Sequence, residues 1–483
     1  MTRAMRIYLS CGSRRGRYGV ILGSLAILAT LARGAEVELA DRPPAAAPVV
    51  VESGSWTQTV ALLQLPDDDV LREAFNQARN LSTNMPVGEA RARLDQWLAS
   101  KSAPLAQMTH LIRADKIELP ASMWHYKNHD YLTMLRQLVD GSRVMVIVAR
   151  GQAERGAYAE AVRQFDDIFK LGCLITTAHG PIVTRYYGIA VQSIAHTGLR
   201  WLASQDGVSA QVLEEMLRNL PVPGIGDPDL AQTYRTELDV FMVPAVMEIA
   251  ALASSPTNPF TYHISNMLDV SNTLATAATY FHRCEQNTVG TWPGRDRKIG
   301  DDANSLVGLA PGDDVFEIMS ALLSTSEPKP ARRWRRLQRL GMMPLLTLSR
   351  SSEVAEVTRQ WLYLERYRKT HPNLLGNVLI AQVMSLESEQ LRISVERRTH
   401  VNLTRAYLAL VLVRRRTGSW PASLSEPAVT DLLGQPPIDL FSMRPLRYSR
   451  EKGMLWSVGD NEVDDGGDSK KDIVIRLPEL EAP

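Results

Sequence analysis

Cysteine is nearly missing from this chain, with three in 483 residues, and no two of them stand in C-x-x-C spacing. That scarcity excludes a disulfide-dense small scaffold, a zinc ribbon and a dithiol redox site. An excess of charge of either sign is also lacking. The 54 Lys+Arg residues almost cancel the 53 Asp+Glu residues, leaving a formal net charge of +1. Nothing in the overall balance points to nucleic acid. Hydrophobic residues make up 45% and charged residues 22%, a composition that excludes a collagenous, wholly disordered or multi-span membrane protein.

The signatures of common enzymes are absent as well. There is no G-x-S-x-G, no Walker loop and no G-x-G-x-x-G. The nine histidines are scattered. His125 and His129 stand four apart, so a helix would place both on one face, but no glutamate follows His125 in H-E-x-x-H fashion. Glu237 and Asp239, two apart, would diverge on a helix and could not share a proton. No named enzyme class is supported.

What is present begins at the N-terminus. Arg3, Arg6, Arg14, Arg15 and Arg17 precede the first acid, Glu36, and an uncharged run extends from Tyr18 to Ala32. As a helix this run reaches only about 22 Å, short of the ~30 Å hydrocarbon core. A basic segment, a short apolar segment and then small residues read as a signal peptide or an N-terminal membrane anchor over residues 1–35. The expected location is therefore the periplasm or cell envelope. With the segment removed, Cys173 and Cys284 permit at most one disulfide, and two unpaired core thiols are the expected state. Residues 36–58, rich in Pro and Ala, read as an extended linker.

Helical patterning then takes over and defines a helical domain over 59–345. Pro66-Asp67-Asp68-Asp69 places carboxylates at the start of one helix. Others are expected near 87–100, 104–115, 129–148, 185–203, 209–220, 228–253 and 262–284, with Pro221, Pro223 and Gly224 breaking the chain between 209–220 and 228–253. The clearest hairpin lies at 141–172. Gly156, Tyr158, Ala161 and Phe165 resemble tetratricopeptide spacing: a turn glycine, a small residue for close approach, and two rings filling the groove. Tyr158 and Phe165 are the candidate partner-binding residues of that groove, or else the core of the hairpin itself. The stretch 287–305 reads as a long polar loop. At 328–341, Arg332, Arg333, Arg335 and Arg336 belong to a basic amphipathic helix with Trp334, Leu337 and Leu340 on its apolar seam. It would face acidic lipid or an acidic partner, or form a solvated face packed through Trp334.

Residues 346–483 read as long helices leading into a small α+β module with core 395–480. RPLRYSR and MLWSVG form two antiparallel strands around Glu451-Lys452-Gly453, and DIVIRL forms a third. Gly418, Trp420, Pro421 and Leu424, then Asp439, Phe441, Pro445 and Tyr448, then Ser457 and Gly459 resemble in order the motifs of the globular domain of type II secretion major pseudopilins. Together with the exported helical region, the ending resembles a broad group of uncharacterised bacterial envelope proteins. The prepilin processing site is missing, so reuse of the domain is expected, not filament assembly.

The resemblance implies calcium in the loop 459–473, with Asp460, Asn461, Asp464, Asp465, Asp468 and Asp472 as ligands. Asn461 and Lys470 stand where the family carries aspartates, and a solvated acidic hairpin loop is the other reading. The expected fold is thus mainly α, followed by a small pilin-like α+β domain with a short antiparallel sheet. The expected function is a non-enzymatic envelope scaffold with a protein or peptide partner and no nucleic acid. A second reading is an envelope hydrolase with dispersed catalytic residues and Asp296, Asp301 and Asp302 at its lip.

Overall fold

The pattern of apolar residues three and four apart resolves into a succession of helices. The computed structural model describes residues 55–478 except 64, 67, 118, 120–128, 179, 254–267 and 295–372. In chain order the helices are α1 (Ser55–Ala61), α2 (Asp69–Arg79), α3 (Gly88–Ser100), α4 (Ser102–Arg113), α5 (His129–Glu154), α6 (Tyr158–Thr177), α7 (Ile182–Ala203) and α8 (Ala210–Asn219). They are followed by α9 (Pro228–Thr236), a π-helical stretch (Glu237–Met242), α10 (Val243–Ala253), α11 (Val270–Asn287) and the long α12 (Leu374–Thr417). Residues 55–58, read from sequence as linker, already lie in α1. The segment 1–35, the basic helix at 328–341 and the expected boundary at 345/346 lie outside the described residues. Among the described residues no helix is long and apolar enough to cross a membrane.

Local chemistry explains the starts and stops. Asp68 caps α2, its carboxylate accepting from the Leu71 amide at 2.8 Å, which satisfies one of the orphan donors of the first turn. Helix α2 buries Ala74, Phe75 and Ala78, and the Phe75 ring meets Trp97 of α3 edge-on at 5.7 Å. The turn between α5 and α6 needs Gly156, whose φ of 78° is the left-handed region that a side chain resists.

Two compact units emerge. One contains residues 234–253, 268–287 and 373–390 of the described chain. There Asn373 Oδ1 accepts from the Asp269 amide at 2.7 Å, tying the start of α12 to the start of α11. Arg235 pairs with Glu285 at 3.0 Å.

The other unit contains residues 55–233, 288–294 and 391–478. Its centre is the pair α6 and α7. On α6, Ala161, Val162, Phe165, Ile168, Leu171, Gly172 and Ile175 are buried, a stripe at helical period. The two backbones meet directly: a Cβ on Gly172 would stand 2.8 Å from the Gly188 carbonyl oxygen, and a Cβ on Gly188 2.8 Å from that of Gly172. Each buried large side chain contributes about 1.5–3 kcal/mol, so this stripe is the main source of the pair's stability.

The C-terminal module is built onto these helices. After α12 come α13 (Pro427–Leu433), β1 (Ile438–Asp439), β2 (Arg444–Pro445), β3 (Arg447–Ser449), β4 (Met454–Ser457) and β5 (Ile473–Arg476). Strands β3, β4 and β5 form one antiparallel sheet in that order, with Leu455 opposite both Tyr448 and Ile475. This matches the three expected strands. The pair β1–β2 is an addition that the sequence pattern did not announce. One hydrophobic core runs from Leu63, Phe165 and Leu199 through Leu403, Leu408 and Leu412 to Trp420, Leu455 and Ile475. The fold is mainly helical with a small C-terminal antiparallel sheet.

Candidate functional site

The most strongly constrained polar centre lies where α7 meets the second half of α12. Arg185, Gln192, His196 and Arg200 recur at seven, four and four residues, a spacing that gathers them on one face of α7. Asp227, on the loop after α8, is 2% exposed and accepts from Arg185, from the Ser394 hydroxyl and, at 3.4 Å, from Arg397. Arg397 also donates to Gln192 Oε1 at 3.3 Å, and Gln192 in turn donates to Thr176 of α6 at 3.1 Å. Burial penalises the Asp227 carboxylate, but Arg185, Arg397, Ser394 and Arg398 outweigh that cost and hold it below the usual carboxylate range.

Arg398 performs a second task from the next position. Its guanidinium donates to the carbonyls of Gly224 at 3.0 Å, Gly226 at 2.7 Å and Ile225 between them. The Gly224-Ile225-Gly226 breaker is therefore clamped onto α12. Arg405 repeats the device on the carbonyls of Leu217 and Leu220 at the end of α8. Arg150 of α5 does so on Ala78, Asn80 and Thr83 at the end of α2. Cations fit there because the last carbonyls of a helix lack partners and carry its negative pole.

The imidazoles of this seam stay neutral. His196 is 2% exposed, both ring nitrogens lack a hydrogen-bond partner, and burial with Arg200, His400 and Arg397 nearby pushes its pKa well down. His400 is pushed to about 4 by burial and Arg200. Burial raises the Cys173 thiol to about 11 and the Tyr407 phenol to about 12. At neutral pH none of these groups is poised to gain or lose a proton, so the seam is built to hold elements together.

In the C-terminal module the corresponding centre is Asp439, fully buried. It accepts from the Phe441 amide at 3.0 Å, the Val458 amide at 3.0 Å, the Ser457 hydroxyl at 2.8 Å and the Ser442 hydroxyl at 3.2 Å. One side chain thus joins the β1 end to the β4 end. Tyr448 donates to the Pro421 carbonyl at 2.9 Å, and Arg414 stacks over Trp420 at 4.8 Å. The motif residues of the module are the ones that knit it.

The acidic loop engages its own donors. Asp464 accepts from Trp456 Nε1 at 2.9 Å, the Gly466 amide at 3.1 Å and Arg447 at 3.0 Å. Asp465 accepts from Lys471 and from Asn461, both at 2.8 Å. Asp468 accepts from the Lys470 amide at 3.0 Å, and Asp472 from the Gly467 amide at 2.8 Å. Asp460 lies in the turn that opens the loop. Asp472 Oδ1 is a buried oxygen with no donor among the described residues, but calcium takes six to eight oxygens. Among the described residues no three His, Cys, Asp or Glu side chains form a group that could hold a metal. As folded, Asp464, Asp465, Asp468 and Asp472 are engaged by donors of the chain itself.

Of the other candidates, Phe165 is fully buried, its ring occupying the space that a Cβ on Gly198 would need. It is a core residue and presents nothing to a partner. Tyr158 is half-buried, with its ring against Gly207. Arg332, Arg333, Arg335, Arg336, Asp296, Asp301, Asp302 and His125 lie outside the described residues, and His129 is the first residue of α5. Neither Cys173 nor Cys284 is in a disulfide. The Asp227 centre escaped the sequence reading because its members are spread from Arg185 to Arg398. The one available signal was the polar series on an otherwise apolar α7. Comparison of the chain with protein-family models, with curated proteins and with solved structures finds no match.

Proposed function

We propose that this protein is a non-enzymatic scaffold of the cell envelope, exported or anchored through residues 1–35, that presents a helical surface to a protein or peptide partner. Its C-terminal module is a pseudopilin-like domain reused as part of the scaffold. The observation that carries this reading is the continuous core from Leu63 to Ile475, which makes the module an integral part of the helical body. The buried ionisable groups support it too, since Asp227 is held as a carboxylate by its arginines and His196 as a neutral imidazole by burial.

The partner surface is sought among exposed positions. Arg163 projects from α6. Val222, Ile225 and Val289 are exposed apolar side chains on two loops joined by the Asp227 amide and the Thr288 carbonyl at 3.2 Å. A photo-crosslinking residue placed at Arg163, Ile225 or Val289 in the intact cell tests the reading. Adducts with the same envelope protein are the expected result. Recovery of the tagged chain from the soluble cytosol, or release of products when the pure chain meets envelope fractions, overturns it.

A further inference from the structure

We infer that the loop 459–473 is braced by three cations of the chain itself, Arg447, Lys452 and Lys471, in place of the calcium ion that the family resemblance implies. The inference holds whether or not the chain acts as a scaffold. A calcium loop works because one divalent ion gathers carboxylates and backbone carbonyls from distant points of an otherwise unsupported segment. In this chain three points of the loop already have a resident positive charge. Arg447, on β3, donates to Asp464 at 3.0 Å. Lys452, in the β3–β4 turn, donates to the Gly466 carbonyl at 3.1 Å. Lys471, at the end of the loop, holds Asp465 at 2.8 Å and has Asp468 and Asp472 as further negative neighbours.

The three contacts all reach the middle of the loop, at Asp464, Asp465 and Gly466, and two of them come from the β-hairpin beneath it. A carbonyl and two carboxylates, the oxygen types that calcium prefers, are thereby occupied by guanidinium and ammonium groups. Asp464 Oδ1 accepts in addition from the Trp456 indole and the Gly466 amide, and Asp472 Oδ2 from the Gly467 amide. A bound divalent ion would have to displace these donors and would meet three positive charges as it did so. The substitutions visible in the sequence agree with this: Lys470 and Asn461 stand where a calcium loop carries aspartates.

The test uses the full chain, stripped with a chelator. Calcium chloride is titrated into it in a calorimeter, and thermal unfolding is followed with chelator and with millimolar calcium. The wild-type chain is expected to give no saturable heat and no shift in melting temperature. The variant Arg447→Met/Lys452→Met/Lys471→Met is expected to melt lower than wild type and to regain part of the loss when calcium is added. Stoichiometric calcium binding by the wild-type chain overturns the inference. So does a triple variant that melts with the wild type and ignores calcium. If that variant does not fold, the wild-type titration still decides.

Discussion

Asp227 and Asp439 are both buried carboxylates, and the chain neutralises them in opposite ways. In the helical region Asp227 sits among guanidinium groups from α7 and α12. In the C-terminal module Asp439 accepts from two amides and two hydroxyls, with no cation bonded to it among the described residues. The difference follows from what each must join. Asp227 links elements remote in sequence, where long arginine side chains can span the gap between helices. Asp439 closes a local knot of strands, where backbone N–H groups are already at hand. A charge-balanced centre is fragile to the loss of one member, because the remaining charges are left in a low-dielectric site. A centre of neutral donors loses only hydrogen bonds.

The sharpest way to break this contrast is to remove each carboxylate. Asp227→Ala is expected to destabilise its unit by about 3–5 kcal/mol, since Arg397 and its neighbours keep their charge without the anion. Denaturant unfolding measures this, and a loss under 1 kcal/mol would mean that the arginines are satisfied elsewhere. Asp439→Ala is expected to cost about 2–3 kcal/mol, from two orphaned amides in a buried site.

Acid probes the same contrast from the other side. His196 and His400 have folded pKa values depressed below the ordinary histidine value, to about 4 for His400. Stability is therefore intact above pH ~6.5 and is lost as pH falls toward 4, because the unfolded chain takes up protons that the folded seam refuses. For His400 alone the expected loss is about 2.5 kcal/mol by pH 4.5, and His196 adds to it. A His400→Gln variant should flatten that part of the profile. An unchanged profile would show that the seam tolerates imidazolium beside Arg200.

The smallest effect has the opposite sign. Burial raises Asp166 to about 6, despite the hydrogen bond it accepts from Asn219 at 2.6 Å. Its charge thus weakens the fold above pH ~6 and is relieved as pH falls through 6 toward the unfolded value. Asp166→Asn is expected to raise stability by about 1 kcal/mol at pH 8 and to change little at pH 4. A gain equal at both values would assign the effect to packing.

The parts of this molecule that were legible in sequence are the local ones. The Asp68 cap, the stripes of α6 and α7, and the hairpin of RPLRYSR and MLWSVG each act within a few residues, so pattern and structure agree. The Gly156 turn was legible for the same reason. Phe165 was legible as a groove-filler but not as a fully buried one, because its burial depends on Gly198, which belongs to the next helix. The Asp227 centre was illegible. Arg185 lies in a helix that reads as apolar, and Ser394, Arg397 and Arg398 come some two hundred residues later, with no spacing to connect them. The Gly224-Ile225-Gly226 segment read as a mere break, since carbonyl acceptors leave no trace in residue type. The six candidate ligands of the acidic loop were legible as acids. Their pairing with Arg447, Lys452 and Lys471 is set by the register of β3 and β4, which composition does not reveal.

The shared core also fixes an order of events. Residues 403–413 of α12 fill the space left by helices that end near residue 220. During synthesis, therefore, the first half of the chain emerges before the α12 segment that completes its core. It must wait nearly two hundred residues for the segment that closes it. Contacts of such sequence separation slow folding and prolong the time in which exposed stripes can meet the wrong surface. The arginines of α12 that grip the loops of the earlier helices are then the last latches to engage. A product cut short before residue 391 lacks the segment that completes this core.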